Sequence, residues 1–252
     1  MMTTQLFGIH AVQAALEYSP QKIQRVLVDE NRLDARLKQV LDELAALGLK
    51  PEKADRKKLD RLADGKNHQG IVISVELPAM RSEDQLKQDV AALTATPFYL
   101  VLDQVQDPHN LGACLRTADA VGAHGVIITK DNSASITPTV CKVASGAAET
   151  VPVYQVTNLA RVLRWLKEQN IWIIGAAGEA EQTLYQLKLD MPIAIVMGTE
   201  GTGMRHLTRQ HCDFLVKIPM VGQVESLNVS VAAGILLYET FRQKQLAAKP
   251  VV

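Results

Sequence analysis

Net charge is absent from this sequence: 27 lysines and arginines offset 27 aspartates and glutamates. Such a chain exerts no global pull on RNA, DNA or anionic lipid, so a polyanion partner must be held locally. Cysteine is scarce, and Cys114, Cys141 and Cys212 are widely spaced. An odd number at that spacing argues against a disulfide framework and a Cys-x-x-Cys metal knuckle, and buried reduced thiols are expected. Histidines are scattered; His206 and His211 lie five apart without a companion set of acids or cysteines, so no metal is expected. The longest apolar stretches, such as Val231 to Tyr238, fall far short of the ~18 residues that suggest a membrane span. MMTTQLFGIHAVQAALEYSP has no basic stretch ahead of an apolar run, which argues against a secretory signal and for a cytoplasmic protein.

What is present is globular: 47% hydrophobic and 21% charged residues over 252 positions suit one or two cores and exclude a disordered tail protein. Patterning predicts a helix over Ile9–Tyr18, a strand over Arg25–Val28, a helix over Asp34–Leu47 ended by Gly48, and a strand over Gly70–Val75. That makes a small α/β domain, 1–76. Residues 77–96, with Pro78 and the charged run Arg81–Asp84, read as a linker carrying a short helix. From 97 to 246, apolar strands at Phe98–Leu102, Gly125–Ile128, Val151–Val156, Ile171–Ala176, Ile193–Met197 and Phe214–Ile218 alternate with helices. The helices fall at Leu111–Val121, Thr139–Gly146, Leu159–Gln169 and Leu227–Gln243, and 247–252 is a tail. Continuous apolar strands between helices indicate a parallel sheet covered on both faces, whose ligands bind beyond the carboxyl ends of the strands.

Positive charge is uneven. Residues 1 to 75 hold 12 basic against 10 acidic side chains, and 97 to 252 hold 13 of each. The surplus is densest at Lys50, Lys53, Arg56, Lys57, Lys58, Arg61 and Lys66. Glu52, Asp55, Asp60 and Asp64 interleave with it, so a solvated helix face explains the run as well as a nucleic-acid patch does.

Three loops carry the chemistry. Asp107-Pro-His-Asn-Leu-Gly-Ala-Cys-Leu-Arg116 leads into a helix striped by Leu111, Leu115, Ala118 and Val121. At about 100° per residue, Asn110 and Arg116 diverge by roughly 120° if both are helical, so they share a pocket only if Asn110 lies in the preceding loop. Read structurally, Asn110 caps the helix and Arg116 is a surface cation. The second loop, Met197-Gly-Thr-Glu-Gly-Thr-Gly-Met204, has glycines that permit close backbone approach. It matches neither the Rossmann nor the Walker pattern, and Glu200 would repel a phosphate. The third, Ile218-Pro-Met-Val-Gly-Gln-Val-Glu-Ser-Leu-Asn-Val-Ser230, places Ser226 as N-cap of the last helix and Asn228 in its first turn.

Taken in order, Asn110 with Arg116, Met197-Gly-Thr-Glu-Gly201, and Ile218-Pro-Met220 ahead of Ser226-Leu-Asn228 resemble the three motifs of the SpoU-type ribose methyltransferases of the SPOUT superfamily. Gly8-Ile-His10-Ala-Val and His68-Gln-Gly70-Ile resemble the L30e-like RNA-binding domain of the same proteins. Within the family the likeness is to bacterial enzymes that methylate a guanosine ribose in the peptidyl-transferase P loop of 23S rRNA. The resemblance implies an α/β catalytic domain with a parallel sheet and a deep C-terminal trefoil knot, a rare exception to unknotted folds. It implies S-adenosylmethionine bound at the backbone of Gly198, Ile218 and Leu227, with Met197, Thr199, Glu200, Gly201 and Met220 lining the adjoining wall. It implies a homodimer in which one subunit completes the RNA site of the other, beside the absence of a membrane span and of a metal already expected from the residues. The helix stripe Leu227, Val231, Ile235, Tyr238 and Phe241 would face either the core or the dimer partner.

The family gives Arg116 the central catalytic role. A guanidinium stays protonated in proteins, so either a neighbouring phosphate or Glu200 helps it accept the ribose proton, or it stabilises the forming alkoxide while water takes the proton. Glu200 and Asn228 are expected to orient Arg116 and the ribose, Ser226 to hold the loop, and Asn110 to position the phosphate or hydroxyl. The competing readings are a tRNA ribose methyltransferase, a non-catalytic RNA-binding or ribosome-assembly factor, and a nicotinamide-dependent dehydrogenase, which lacks its glycine fingerprint here.

Overall fold

The computed structural model describes residues 2–32 and 34–247. By contacts the chain divides into two compact units, Met1–Ala79 with Ile136–Lys142, and Met80–Ser135 with Val143–Val252.

The first unit runs β1 (Met2–Phe7), α1 (Ile9–Tyr18), β2 (Ile23–Asp29), α2 (Ala35–Ala46), β3 (Glu52–Ala54), α3 (Arg56–Leu62) and β4 (Ile71–Leu77). Its sheet has the order β1-β4-β2-β3, with β4 antiparallel to both neighbours and β3 parallel to β2. The Asp34 carboxylate caps α2 by accepting from Leu37 N (3.0 Å), and Gly48, at φ +72°, follows its end. Leu37, Val40 and Leu44 form the buried stripe between. Hydropathy patterning marks α1, β2, α2 and β4 but not the edge strands β1 and β3. Met-Thr-Thr-Gln-Leu-Phe has no apolar run, and Glu-Lys-Ala is three residues with two exposed; both are held by backbone pairing, which hydropathy does not register.

The stretch 77–96 is more than a connector. Ser82 and Gln85 form a capping box that starts α4 (Glu83–Ala92), and Leu86 is fully buried in a cluster with Tyr99, Tyr154 and Val162. Asp89 accepts from Arg81 (2.6 Å) and from the Tyr154 hydroxyl (2.7 Å), fastening α4 within the second unit.

The chain continues with β5 (Phe98–Leu102), α5 (Pro108–Ala120), β6 (Gly125–Thr129), α6 (Pro138–Ala144), α7 (Ala147–Thr150), β7 (Val153–Val156), α8 (Leu159–Glu168) and β8 (Trp172–Ala176), all in the second unit except residues 138–142 of α6, which belong to the first. The second unit ends with β9 (Ile193–Met197), α9 (His206–Gln210), β10 (Phe214–Val216) and α10 (Val229–Ala247). The sheet is wholly parallel, in the order β10-β8-β9-β5-β6-β7. Every residue of β5, β6 and β9 is buried, as a sheet covered on both faces requires. The expected helix Thr139–Gly146 is α6, which ends at Ala144 because Ser145 (φ 51°) and Gly146 (φ 96°) turn left-handed; the short α7 after it was not foreseen. The expected tail lies, past Ala247, outside the described residues. Cys114 and Cys141 are buried and Cys212 is half-buried, and none of the three is in a disulfide. Burial pushes Cys114 and Cys212 up to about 12, so neither is poised as a nucleophile.

Candidate active site

A cavity of about 560 Å³ opens beyond the carboxyl ends of β8, β9 and β10. Its walls come from the segments that follow those strands, Ala176–Glu179, Met197–Met204 and Val216–Ile218, and from the stretch leading into α10, including Ser226 and Leu227.

The glycine loop closes on itself. Thr199 N donates to Gly203 O (3.1 Å) and Gly203 N to Thr199 O (3.0 Å), with Gly201 at φ +84° and Gly203 at φ +68° making the turn. Gly198 is required by proximity: a Cβ there would lie 2.1 Å from the Gly203 carbonyl carbon and 2.2 Å from Met204 N. Backbone meets backbone, so no side-chain rotation relieves it.

Glu200 gathers the three motifs onto one oxygen. Its Oε1 accepts from Asn228 Nδ2 (2.7 Å), from Val229 N at the start of α10 (3.1 Å) and from Asn110 Nδ2 (3.3 Å). Asn228 Nδ2 also donates to Asn110 Oδ1 (3.0 Å). A carboxylate at a helix N-terminus is favoured by the unpaired N–H groups there.

Two assignments change. Asn228, not Ser226, caps α10: its Oδ1 accepts from Ser230 N (2.9 Å) and Ser230 Oγ (2.6 Å), and its carbonyl takes the first helical bond, from Ala232 N (3.0 Å). The poor helix former sits just before the helix, where asparagine is preferred, and Ser226 lines the cavity instead. Asn110 lies inside α5, whose cap is Asp107, accepting from His109 N (2.8 Å). Asn110 and Arg116 therefore diverge on one helix. Asn110 joins Glu200 and Asn228, whereas Arg116 is exposed, off the cavity wall, and without a hydrogen bond or ion pair among the described residues. The structure thus brings together Asn110, Glu200 and Asn228, and separately Met197, Gly198, Thr199, Glu200, Gly201, Ile218, Met220 and Leu227 around the cavity.

A clasp beneath the glycine loop was not foreseen from the sequence. Asp103, directly after β5 and 1% exposed, donates its N–H to Met197 O (2.8 Å) and accepts at its carboxylate from Arg205 N (3.0 Å) and Nε (2.8 Å). One residue thereby ties both ends of the loop 198–205. An acid immediately following the apolar run Phe98–Leu102 was the available signal. Arg205→Ala should leave a buried carboxylate without its cation and lower unfolding free energy by about 3 kcal/mol, read by denaturant titration. Arg209 and Glu179, also unforeseen, form an ion pair on the cavity wall.

Residues 97–238 match the SpoU rRNA Methylase family, and residues 5–80 match a domain described as RNA 2′-O ribose methyltransferase substrate binding. The chain is 54% identical over 243 residues to the 23S rRNA (guanosine-2′-O-)-methyltransferase RlmB of Photorhabdus laumondii, covering 96% of this chain and 99% of that one. To the RlmB of Escherichia coli K12 it is 53% identical, covering 96% and 100%. Among solved structures it is similar to an RNA 2′-O ribose methyltransferase, at TM-score 0.58 and 29% identity over 96% of this chain and 89% of that one. The fold also resembles that of the SpoU methyltransferase AviRb of Streptomyces viridochromogenes in complex with AdoMet, at TM-score 0.62 and 23% identity over 97% and 91%.

Proposed function

The chain belongs to the SpoU rRNA methylase family, and from that premise we propose that it transfers a methyl group from S-adenosylmethionine to the ribose 2′-oxygen of a guanosine in the P loop of 23S rRNA. The observation that carries this reading is convergence. All eight residues that the family resemblance ties to the cofactor line one cavity at the carboxyl ends of three parallel strands. Its volume suits a ligand of that size. The glycine loop offers close backbone and no lysine, which fits an adenosine sulfonium better than a phosphate.

S-adenosylmethionine supplies an electrophilic methyl; the protein must align a weak nucleophile and favour its developing negative charge. Glu200 Oε1 accepts three hydrogen bonds that hold α5, the glycine loop and α10 in register. Its role, with Asn110 and Asn228, is to position these segments. Arg116 remains protonated and stabilises the forming alkoxide, and water takes the proton. Since Arg116 lies off its own cavity wall, it serves a ribose presented between two subunits.

That geometry calls for a homodimer. The outward side of α10 supplies a surface: Val231 and Tyr238 are exposed while Val229, Ala233, Leu236, Leu237 and Thr240 face the core, and Tyr185, Ile235, Tyr238, Phe241 and Leu246 line an apolar hollow. Tyr238→Glu is expected to give a monomer in sedimentation velocity and to lower methyl transfer at least tenfold. Residues 1–76 are the L30e-like RNA-binding domain, residues 97–246 the catalytic domain, and the segments after β9 and β10 the trefoil knot. The protein works in the cytoplasm, on rRNA. Calorimetry with S-adenosylmethionine tests the cavity: the expected result is one site per chain, and no heat at millimolar cofactor contradicts it.

A further inference from the structure

Of the four acids between Lys50 and Lys66, three are engaged by hydrogen bonds in the folded first unit, whereas four of the cations form no ion pair among the described residues. Glu52 forms a two-pronged pair with Arg25 (2.9 and 2.5 Å). Arg25 and, more weakly, the charge of Lys58 hold the Glu52 carboxyl below its usual range. Asp55 caps α3, accepting from Lys58 N (2.7 Å). Asp60 meets Nε2 of the buried His68 (3.1 Å), whose Nδ1 accepts from Gly70 N (3.1 Å); Nε2 therefore carries the proton and donates to Asp60. Asp64 sits in the turn beyond the helix, at φ 51°.

Lys53, Arg56, Lys57 and Arg61 are exposed and form no ion pair among the described residues. At about 100° per residue, Arg56, Lys57 and Arg61 fall within an arc of about 140° on α3, which also holds Asp60, engaged with His68. Arg61 Nε reaches the Lys57 carbonyl (3.4 Å), keeping these two neighbours on one side. The i,i+4 helix pairs that would have neutralised these four cations do not form among the described residues.

We propose that this face of α3, with Lys53 beside it, is where the first unit holds the phosphate backbone of its rRNA. The inference rests on the proposed rRNA substrate. In a chain of zero net charge, unneutralised cations on one short helix provide the local hold that a polyanion needs. The arc carries no aromatic side chain, so it grips backbone charge and does not stack bases; it positions the RNA and leaves recognition of the nucleotide to other surfaces.

The test uses the full chain and unmodified 23S rRNA transcribed in vitro, with binding measured across a salt series. The triple variant Arg56→Gln, Lys57→Gln, Arg61→Gln is expected to flatten the slope of log K against log salt by about 2, at ~0.7 for each phosphate no longer neutralised. Its Tm and S-adenosylmethionine affinity should match the wild type, and Lys58→Gln should leave the slope unchanged. An unaltered slope in a folded, cofactor-binding triple variant, or an equal flattening in Lys58→Gln, overturns the assignment. Wild type that binds rRNA with the steeper slope yet methylates no ribose would overturn the proposed reaction and leave the face standing.

Discussion

Gly198→Ala is expected to lose S-adenosylmethionine binding by at least a hundredfold, and methyl transfer with it. The added carbon would lie 2.1 Å from the carbonyl carbon of Gly203 and 2.3 Å from its oxygen, so the loop must open to admit it. Opening breaks the paired bonds between Thr199 and Gly203 and displaces Thr199 and Gly201 from the cavity wall. Gly201→Ala is the informative companion: it has open space around it but φ +84°, so it carries backbone strain without collision and should be the milder change. Calorimetry with S-adenosylmethionine reads both. Wild-type affinity in Gly198→Ala would mean that the 198–203 loop does not shape the cofactor site.

Arg116→Ala should reduce the methyl-transfer rate by about 10² to 10³ at saturating cofactor and rRNA, with cofactor affinity within twofold. The side chain is exposed and distant in helical phase from Asn110, so its removal disturbs no core and should not shift Tm. Because a guanidinium keeps its proton, the loss should scale the rate equally at every pH. A pH–rate profile that loses an inflection along with the side chain would instead make Arg116 a proton acceptor. Full activity in the variant would remove it from the site.

The parallel sheet and its order of elements were legible because strands buried on both faces, such as Ile193–Met197, must be apolar throughout. The glycine loop was legible for a related reason: close backbone contact leaves glycine little alternative at 198. What escaped depended on partners distant in sequence. β1 is a polar strand made by pairing with β4, 69 positions away at Gln5 and Ser74. Asp103 looks like an ordinary acid after a strand until Arg205 arrives beneath the loop. Ser226 and Asn228 are both good capping residues, and only the hydrogen bonds to Ser230 choose between them. Similarly, Asn110 reads as a cap, yet Asp107 takes that place and frees Asn110 to meet Glu200.

Incubating the purified chain with unmodified 23S rRNA and isotope-labelled S-adenosylmethionine, then mapping the label by mass spectrometry of nuclease fragments, tests the central claim most directly. The expected product carries one methyl group per rRNA, on the ribose of a P-loop guanosine. Label on a base, on another nucleotide's ribose, or on no RNA at all would contradict it.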